Sequence, residues 1–496
     1  MDRDPERYLT KTKFMKGLQC PKLLWYYFNR REDIPPPDES TRAMFDIGNK
    51  IGEYAQKLYP EGIHIDWSRD LKHNAEQTLS ALEQRKPIFE SAAIYNGAYA
   101  QADILVPAGD NGWDIIEVKA SGEVKPEHNR EVAFQKYVYE RSGVRIDRCY
   151  LMRVNKEYVR MGEIEPEKLL IMDELTERVA ELLPDIEKSI ESMFSIIRSN
   201  EPPGSPLGRQ CSSPYECPLS GLCQKYLPEE NVLGLRGDRK GLRFDLVSGG
   251  IFKMADIPED RELSEDQRTQ ISAARSGKDH INKDEIAAFL KRLEYPLYFL
   301  DFETINMAIP PYDGTRPFEF ITFQFSLHVI KKEGAKPAHY SYIDPGDVDP
   351  RPEVFKRLKD LLGGSGSILA WYCTFEKSRI REAGERFREF AEWAENTNER
   401  FIDLLEPFSK LYYYSPKQNG SASLKDVYPA LIGKSYEGLE IDEGGKAMLE
   451  YYRVTFDKKV SEAERKSVYG NLEIYCTQDT RAMVEILETL KKRVAL

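Results

Sequence analysis

Two short patterns in the sequence place carboxylates where chemistry could use them. Glu117 and Lys119 stand at i and i+2 in an apolar run that starts at Trp113, and Asp103 opens the preceding run Asp103-Ile104-Leu105-Val106. Asp301 and Glu303 stand at i and i+2 at the end of the apolar run that begins Pro296-Leu297-Tyr298-Phe299-Leu300. Alternate residues of a strand leave the same face, so each pattern sets two polar side chains side by side. Burying such charges is costly unless they are paired or hold a metal. Carboxylates grouped in this way can hold a divalent cation that generates hydroxide and stabilises charge on a scissile phosphate. Each pattern also has a plainer reading. The first would be a strand-end ion pair between Glu117 and Lys119, with Asp103 as a turn residue. The second would be a solvated Asp-x-Glu.

The elements that must position these residues follow from periodicity and punctuation. Asp103–Val106 and Trp113–Val118 form a hairpin across Ala108-Gly109-Asp110-Asn111-Gly112, where Asn-Gly is the turn signal. Before it come a helix from Leu9 to Phe28 capped near Thr10, a helix from Thr41 to Leu58, helical residues His73 to Gln84 and a strand Ile88 to Tyr95. Gly48 and Gly52 on the second helix would admit another element closely, and Glu53 lies beside them. After the hairpin, a helix His128 to Ser142 sets Gln135 and Tyr139 one turn apart on one face. A strand Arg148 to Val154 and a long helix Met172 to Arg198 follow. Residues 227–292, rich in glycine and charge, read as a connecting region with one or two small helices. Beyond them, strands are expected at Pro296 to Thr304, Phe318 to Val329 and Ser367 to Trp371. A helix then starts around Phe375-Glu376, Asp403 sits on an apolar segment, and a helix Asn471 to Val494 carries Tyr475 and Asp479 at i and i+4.

At 496 residues the chain is expected to hold two or three domains. A net charge of −12 argues against a protein that coats polyanions in bulk, though it leaves room for a local basic cleft. No apolar run is long enough to span a bilayer, and the N-terminus lacks an apolar signal region, so a cytoplasmic protein with no membrane partner is expected. With six histidines in the chain, metal chemistry would rest on carboxylates and thiolates. Of the seven cysteines, Cys211, Cys217 and Cys223 form C-x5-C-x5-C in a proline-containing loop, with Cys20 far upstream. Cys149, Cys373 and Cys476 stand in apolar surroundings and read as small core residues. Clustered cysteines in a cytosolic chain point to metal rather than disulfides. No Cys-x2-Cys pair supports a zinc ribbon, whereas one distant and three close thiolates suit an iron–sulfur cluster. Spacing alone leaves cluster, zinc and no metal open.

Asp103, Glu117-x-Lys119 and Gln135-x3-Tyr139 in that order resemble the PD-(D/E)XK nuclease fold in its RecB-like branch. With Cys20 upstream and three cysteines downstream, residues 1–226 are similar to the iron–sulfur members of that branch. The resemblance implies that Asp103 and Glu117 bind Mg²⁺ or Mn²⁺, that Lys119 activates the attacking water, and that Gln135 and Tyr139 line the nucleic-acid path. It also implies a [4Fe-4S] cluster on Cys20, Cys211, Cys217 and Cys223, with zinc as the alternative. These nucleases commonly carry a His on the early helix; here Glu53 would supply an acidic ligand instead. In residues 293–496, Asp301-x-Glu303, Phe375-Glu376 and Tyr475-x3-Asp479 resemble the three motifs of DnaQ-like 3′–5′ exonucleases, an RNase H-like fold. That resemblance implies two divalent metals on Asp301, Glu303 and Asp479, with Tyr475 positioning the water. Glu376 stands where the family has Asp, one methylene longer. The expectation is an α/β chain of two metal-dependent nuclease domains acting on nucleic acid, DNA rather than RNA, in repair or defence. The alternative is a nucleic-acid end-binding scaffold or partner subunit with one or both sites inactive.

Overall fold

The computed structural model describes residues 8–237 and 241–495, which divide into two compact units. One takes the described residues up to Lys225 together with Met307–Phe318; the other takes the described residues of Tyr226–Asn306 and Glu319 onward. The described residues of 227–292, expected as a connecting region, thus belong to the second unit. Both units are α/β with mixed sheets. No described helix is long and apolar enough to cross a membrane.

In the first unit the strands are β1 (Leu9–Thr10), β2 (Ile63–His64), β3 (Ile88–Tyr95), β4 (Ala98–Ala108), β5 (Gly112–Lys119), β6 (Ile146–Val154) and β7 (Leu170–Glu174). The helices are α1 (Lys11–Gln19), α2 (Pro21–Asn29), α3 (Glu39–Gln56), α4 (Leu71–Leu82), α5 (Pro126–Arg141), α6 (Pro166–Leu169), α7 (Thr176–Ile197) and α8 (Ser220–Gln224). The sheet runs β2-β3-β4-β5-β6-β7, with β1 parallel to β4 at the side. β5 and β6 are parallel and α5 crosses between them, as parallel neighbours require. The single helix expected from Leu9 to Phe28 is two helices. Thr10 caps the first, and Pro21, which cannot donate a backbone hydrogen bond, starts the second. Cys20 sits at the break. Likewise Leu170–Glu174 is a strand paired with β6, not the start of the following helix. In the hairpin the positive φ falls on Gly109, at +47°, rather than in the Asn-Gly pair.

The second unit contains α9 (Leu242–Ser248), α10 (Glu265–Ser276), β8 (His280–Ile281), α11 (Lys283–Leu290), β9 (Leu297–Ile305), β10 (Ile321–Ile330) and β11 (Ala338–Ile343). It continues with α12 (Arg351–Leu361), β12 (Ile368–Ala370), α13 (Thr374–Arg386), α14 (Ala391–Asn398), β13 (Phe401–Asp403), α15 (Glu406–Ser409) and β14 (Tyr413–Tyr414). Three helices close it: α16 (Leu424–Ile432), α17 (Gly444–Phe456) and α18 (Glu462–Ala495). The main sheet runs β11-β10-β9-β12-β13; the first three strands are antiparallel, and β9, β12 and β13 are parallel. Period-2 alternation in β9 splits its side chains between two cores. Tyr298, Leu300 and Phe302 pack with α12 and α13 residues, whereas Leu297 and Phe299 pack with Met483 and Leu487 of α18. Asp301 and Glu303 share the parity of Leu297 and Phe299, so they also face α18.

Candidate metal centres

In the first unit, the hairpin and α1 converge on Glu117, whose side chain is buried. Lys11 at the start of α1 donates to Glu117 Oε1 at 2.5 Å, and Lys119 Nζ lies 2.7 Å from the same oxygen. Gln135 Nε2 donates to Glu117 Oε2 at 2.6 Å and to the Gln101 carbonyl at 2.7 Å. Lys119 also pairs with Glu131 at 2.6 Å. Asp103 is no turn residue: it lies within β4 and its Oδ2 accepts from the Val118 amide at 2.6 Å. Burial works to raise the Glu117 pKa, but Lys11 and Lys119 outweigh it and hold the group below the usual carboxylate range. Burial and the Glu117 charge push Asp103 the other way, up to about 7. A cleft of about 640 Å³ opens over this group; Lys11, Glu53, Glu90, Asp103, Glu117 and Lys119 line it.

Several expectations change here. The ion pair between Glu117 and Lys119 exists, but Glu117 is inside the cleft rather than at a solvated strand end. Gly48 and Gly52 admit no close neighbour, since a Cβ at either would meet nothing within 4 Å; they line the cleft instead. Gln135 reaches the centre, but Tyr139 does not line a nucleic-acid path: it is fully buried, bonded to Ser91 at 2.8 Å. One helical turn along α5 carries that face from the cleft into the core. Lys11 and Glu90 were not singled out by any sequence signal. Glu90 sits on β3 at φ +55° where the ladder to β4 skips it and Asp103, a strained backbone of the kind found at functional sites.

The four cysteines come together although Cys211, the nearest of the other three in sequence, lies 191 positions after Cys20. Cys20, Cys211, Cys217 and Cys223 line one small cavity, and Gln19 at the end of α1 ties the loop down by bonds to the carbonyls of Gln210 and Tyr215 at 2.9 and 2.6 Å. All four thiols are free.

In the second unit Asp301 and Glu303 lie in the C-terminal half of β9, Glu376 in the first turn of α13 after β12, and Asp479 within α18. Asp301, Glu303, Glu376 and Asp479 are all buried deeply enough that burial drives each pKa upward. The neighbouring carboxylates add to the rise in Asp301, Glu303 and Glu376. Asp479 reaches about 6, restrained by a hydrogen bond from Tyr436, whose hydroxyl donates to Asp479 Oδ1 at 2.6 Å. One oxygen of Glu376 has no hydrogen-bond partner, and neither has the buried Gln324 carbonyl oxygen, on the β10 residue that faces Glu303 across the ladder. Lys425 at the start of α16 is the cation that acts on Asp301, Glu303 and Asp479, and its ammonium lies 5.3 Å from the Tyr475 ring centroid. Asp403 is a structural acceptor, taking the amides of Tyr372 and Leu405 at 3.0 Å each.

Cys476 is not a plain core residue. Its thiol donates to Asp301 Oδ2 at 3.2 Å. Among the described residues, Asp301, Glu303 and Cys476 form a group that could hold a metal ion, with donor atoms all within 4.8 Å of one another. Asp479 stands outside that group, with Tyr436 holding one of its oxygens.

A family described as "Domain of unknown function (DUF2779)" matches residues 298–423, a stretch that contains Asp301, Glu303 and Glu376. A curated relative, "Uncharacterized protein UU173" of Ureaplasma parvum serovar 3 (strain ATCC 700970), is 26% identical over 228 residues. That alignment covers 42% of this chain and 32% of the relative, so the chain spans about a third of its length. Of solved structures, the crystal structure of SSO0001 aligns with 45% of this chain and 89% of its own, at 14% identity and a TM-score of 0.26.

Proposed function

We propose that this chain is a cytoplasmic, divalent-metal-dependent nuclease, with the second unit as its cutting centre and DNA as its substrate. One observation carries the reading: the buried Glu303, Glu376 and Asp479 stand with the half-buried Asp301, with little positive charge to compensate them. Buried carboxylates that repel one another stay protonated or take up cations. A Mg²⁺ or Mn²⁺ pair would supply the Lewis acidity and the hydroxide for phosphodiester hydrolysis. Asp301, Glu303 and Asp479 would hold it, with Glu376 offering its unpartnered oxygen. Tyr475 is buried beside these acids, and burial together with Asp479, Glu303 and Asp301 holds its phenol protonated, so it can donate to a water or a phosphate oxygen. Lys425 is placed to meet a phosphate. The motif order resembling DnaQ-like exonucleases supports the same roles and a 3′–5′ direction.

The first unit, with its resemblance to RecB-like nucleases, supports a second reading of its own centre. Glu117 already has two ammonium partners, so Lys11 must let go before Glu117 and Asp103 can hold a metal. That favours a unit that binds nucleic-acid ends and cuts slowly or not at all. The four cysteines around one cavity support an iron–sulfur cluster, with zinc as the alternative. The test is cleavage of end-labelled single-stranded and duplex DNA and RNA in Mg²⁺ and Mn²⁺, by wild type, Asp301→Asn, Glu117→Gln and the double variant. Loss in Asp301→Asn with retention in Glu117→Gln is expected; full activity in the double variant would overturn the assignment.

A further inference from the structure

The second unit's centre contains a donor that hard-metal hydrolysis does not need. Cys476 follows Tyr475 on α18 and turns its sulfur toward β9, where it meets Asp301 Oδ2 at 3.2 Å. A thiol is a poor partner for Mg²⁺, which takes oxygen, and an ordinary one for zinc and cadmium, which take thiolate. The separation fits. With zinc–sulfur and zinc–oxygen bonds of about 2.3 and 2.0–2.2 Å, a tetrahedral edge from sulfur to oxygen is roughly 3.5 Å. Glu303 completes three donors mutually within 4.8 Å, the number a zinc site with one open position uses. A second observation points to an absent ligand at the same place: the buried Glu376 carboxylate, which acts electrostatically on this group, has an oxygen with no partner.

We propose that Asp301, Glu303 and Cys476 form a mixed oxygen–sulfur site for a thiophilic divalent cation of the zinc class, which competes with Mg²⁺ or Mn²⁺ for the same carboxylates. The inference rests on the metal-binding part of the reading above, though not on cleavage itself. On binding, the S–H bond breaks, its proton goes to solvent, and the sulfur lone pair forms the bond to the metal; nothing is oxidised. Zinc seated on Asp301 and Glu303 would displace the catalytic ion, so zinc is an inhibitor of this centre and Cys476 is what makes the inhibition tight.

The full chain, stripped of metal, is titrated with zinc against a competing chelator and the bound zinc is counted in wild type, Cys476→Ser and Asp301→Asn. Zinc taken up by the four-cysteine cavity is common to all three and cancels. Wild type is expected to hold one equivalent more than either variant, with zinc affinity at this site falling about tenfold or more in Cys476→Ser because a soft ligand is lost, while Mg²⁺ binding stays. Equal stoichiometry and affinity in wild type and Cys476→Ser would overturn the proposal. Should a variant not fold, zinc-edge anomalous diffraction from wild-type crystals decides the matter: a peak bonded to Cys476 Sγ is expected, and zinc confined to the other cysteines overturns it. Cleavage without this zinc site refutes this inference alone, whereas a zinc site without cleavage in any metal refutes the nuclease reading.

Discussion

The two carboxylate centres begin from the same sequence device, acids at i and i+2 of a strand, and end in opposite electrostatic states. In the first, Glu117 is matched by Lys11 and Lys119 and held ionised. In the second, burial drives Asp301, Glu303, Glu376 and Asp479 each towards its protonated form. A strand pattern therefore specifies where carboxylates point but not whether they are neutralised. What differs is the element delivered to the strand. α1 brings an ammonium to β5, whereas α18 brings a thiol, a phenol and a further carboxylate to β9. The first centre carries its own compensating cations, whereas the second is the one proposed to take up a metal.

The largest effect expected from this difference is on cleavage. Asp301→Asn removes a group proposed to hold the metal and should lower the metal-dependent rate about 10²-fold or more, the scale of losing one preorganised electrostatic contact. Glu117→Gln should change it little. Equal losses from both substitutions, measured on the same end-labelled DNA, would erase the functional contrast.

The same two isosteric substitutions should move stability in opposite directions. Glu117→Gln leaves two ammoniums facing an amide. Breaking a fully buried pair costs about 3–5 kcal/mol; here Lys11 and Lys119 keep 22% and 25% of their side-chain surface exposed, so about 2–3 kcal/mol is expected. Asp301→Asn relieves repulsion instead. Burial and the Asp479 charge both oppose ionisation of Asp301, so the metal-free second unit should gain stability. Denaturant unfolding of metal-free protein, with hydrogen exchange in α5 and α18 to separate the units, checks both signs. Destabilisation by Asp301→Asn would break the comparison.

How far the sequence revealed these centres follows from how local each feature is. The acids at i and i+2, the helix face of Tyr475 and Asp479, and the loop of three cysteines are read from spacing within one element. Lys11, Glu90, Lys425 and Tyr436 each act on a centre from another element, and no spacing links them to its acids. Cys476 is buried, as its apolar surroundings imply, but only the parity of β9 sets it against Asp301. Pro21 was a readable signal for the break at Cys20 that periodicity overrode. Leu170–Glu174 merged with the next helix because a strand of five residues carries too little alternation to mark its end.

The pH dependence sharpens the contrast further. A carboxylate raised in the folded state binds protons there that the unfolded chain has lost, so stability falls as pH rises between the two values. For Asp479 the window runs from 3.8 to about 6, and Asp301, Glu303 and Glu376 act with the same sign. Glu117 acts oppositely: its contribution is complete above the unfolded value near 4.5 and is lost as pH falls below it. Metal-free second unit should therefore lose about 1–3 kcal/mol between pH 4 and pH 7. Saturating Mg²⁺ should flatten the slope by binding the ionised form, worth about 2.7 kcal/mol at a hundredfold excess over its dissociation constant. A slope unchanged by Mg²⁺ and by Asp301→Asn would show that the cluster is not its source.

The smallest effect tests where the first centre ends. Gln135 and Tyr139 occupy one face of α5, but Gln135 Nε2 touches Glu117 while the Tyr139 hydroxyl is bonded to Ser91 inside the core. Tyr139→Phe leaves the Ser91 hydroxyl buried without that partner and keeps the ring packing, so it should cost about 1 kcal/mol with nucleic-acid binding unchanged. Gln135→Ala, by contrast, frees an oxygen of Glu117 and should alter metal or nucleic-acid affinity at the cleft. Binding of labelled single strands by the two variants separates the cases. If Tyr139→Phe weakened binding as much as Gln135→Ala, the phenol would have to reach the substrate through a rearranged α5, and the charge-compensated first centre would be only one of two states of that unit.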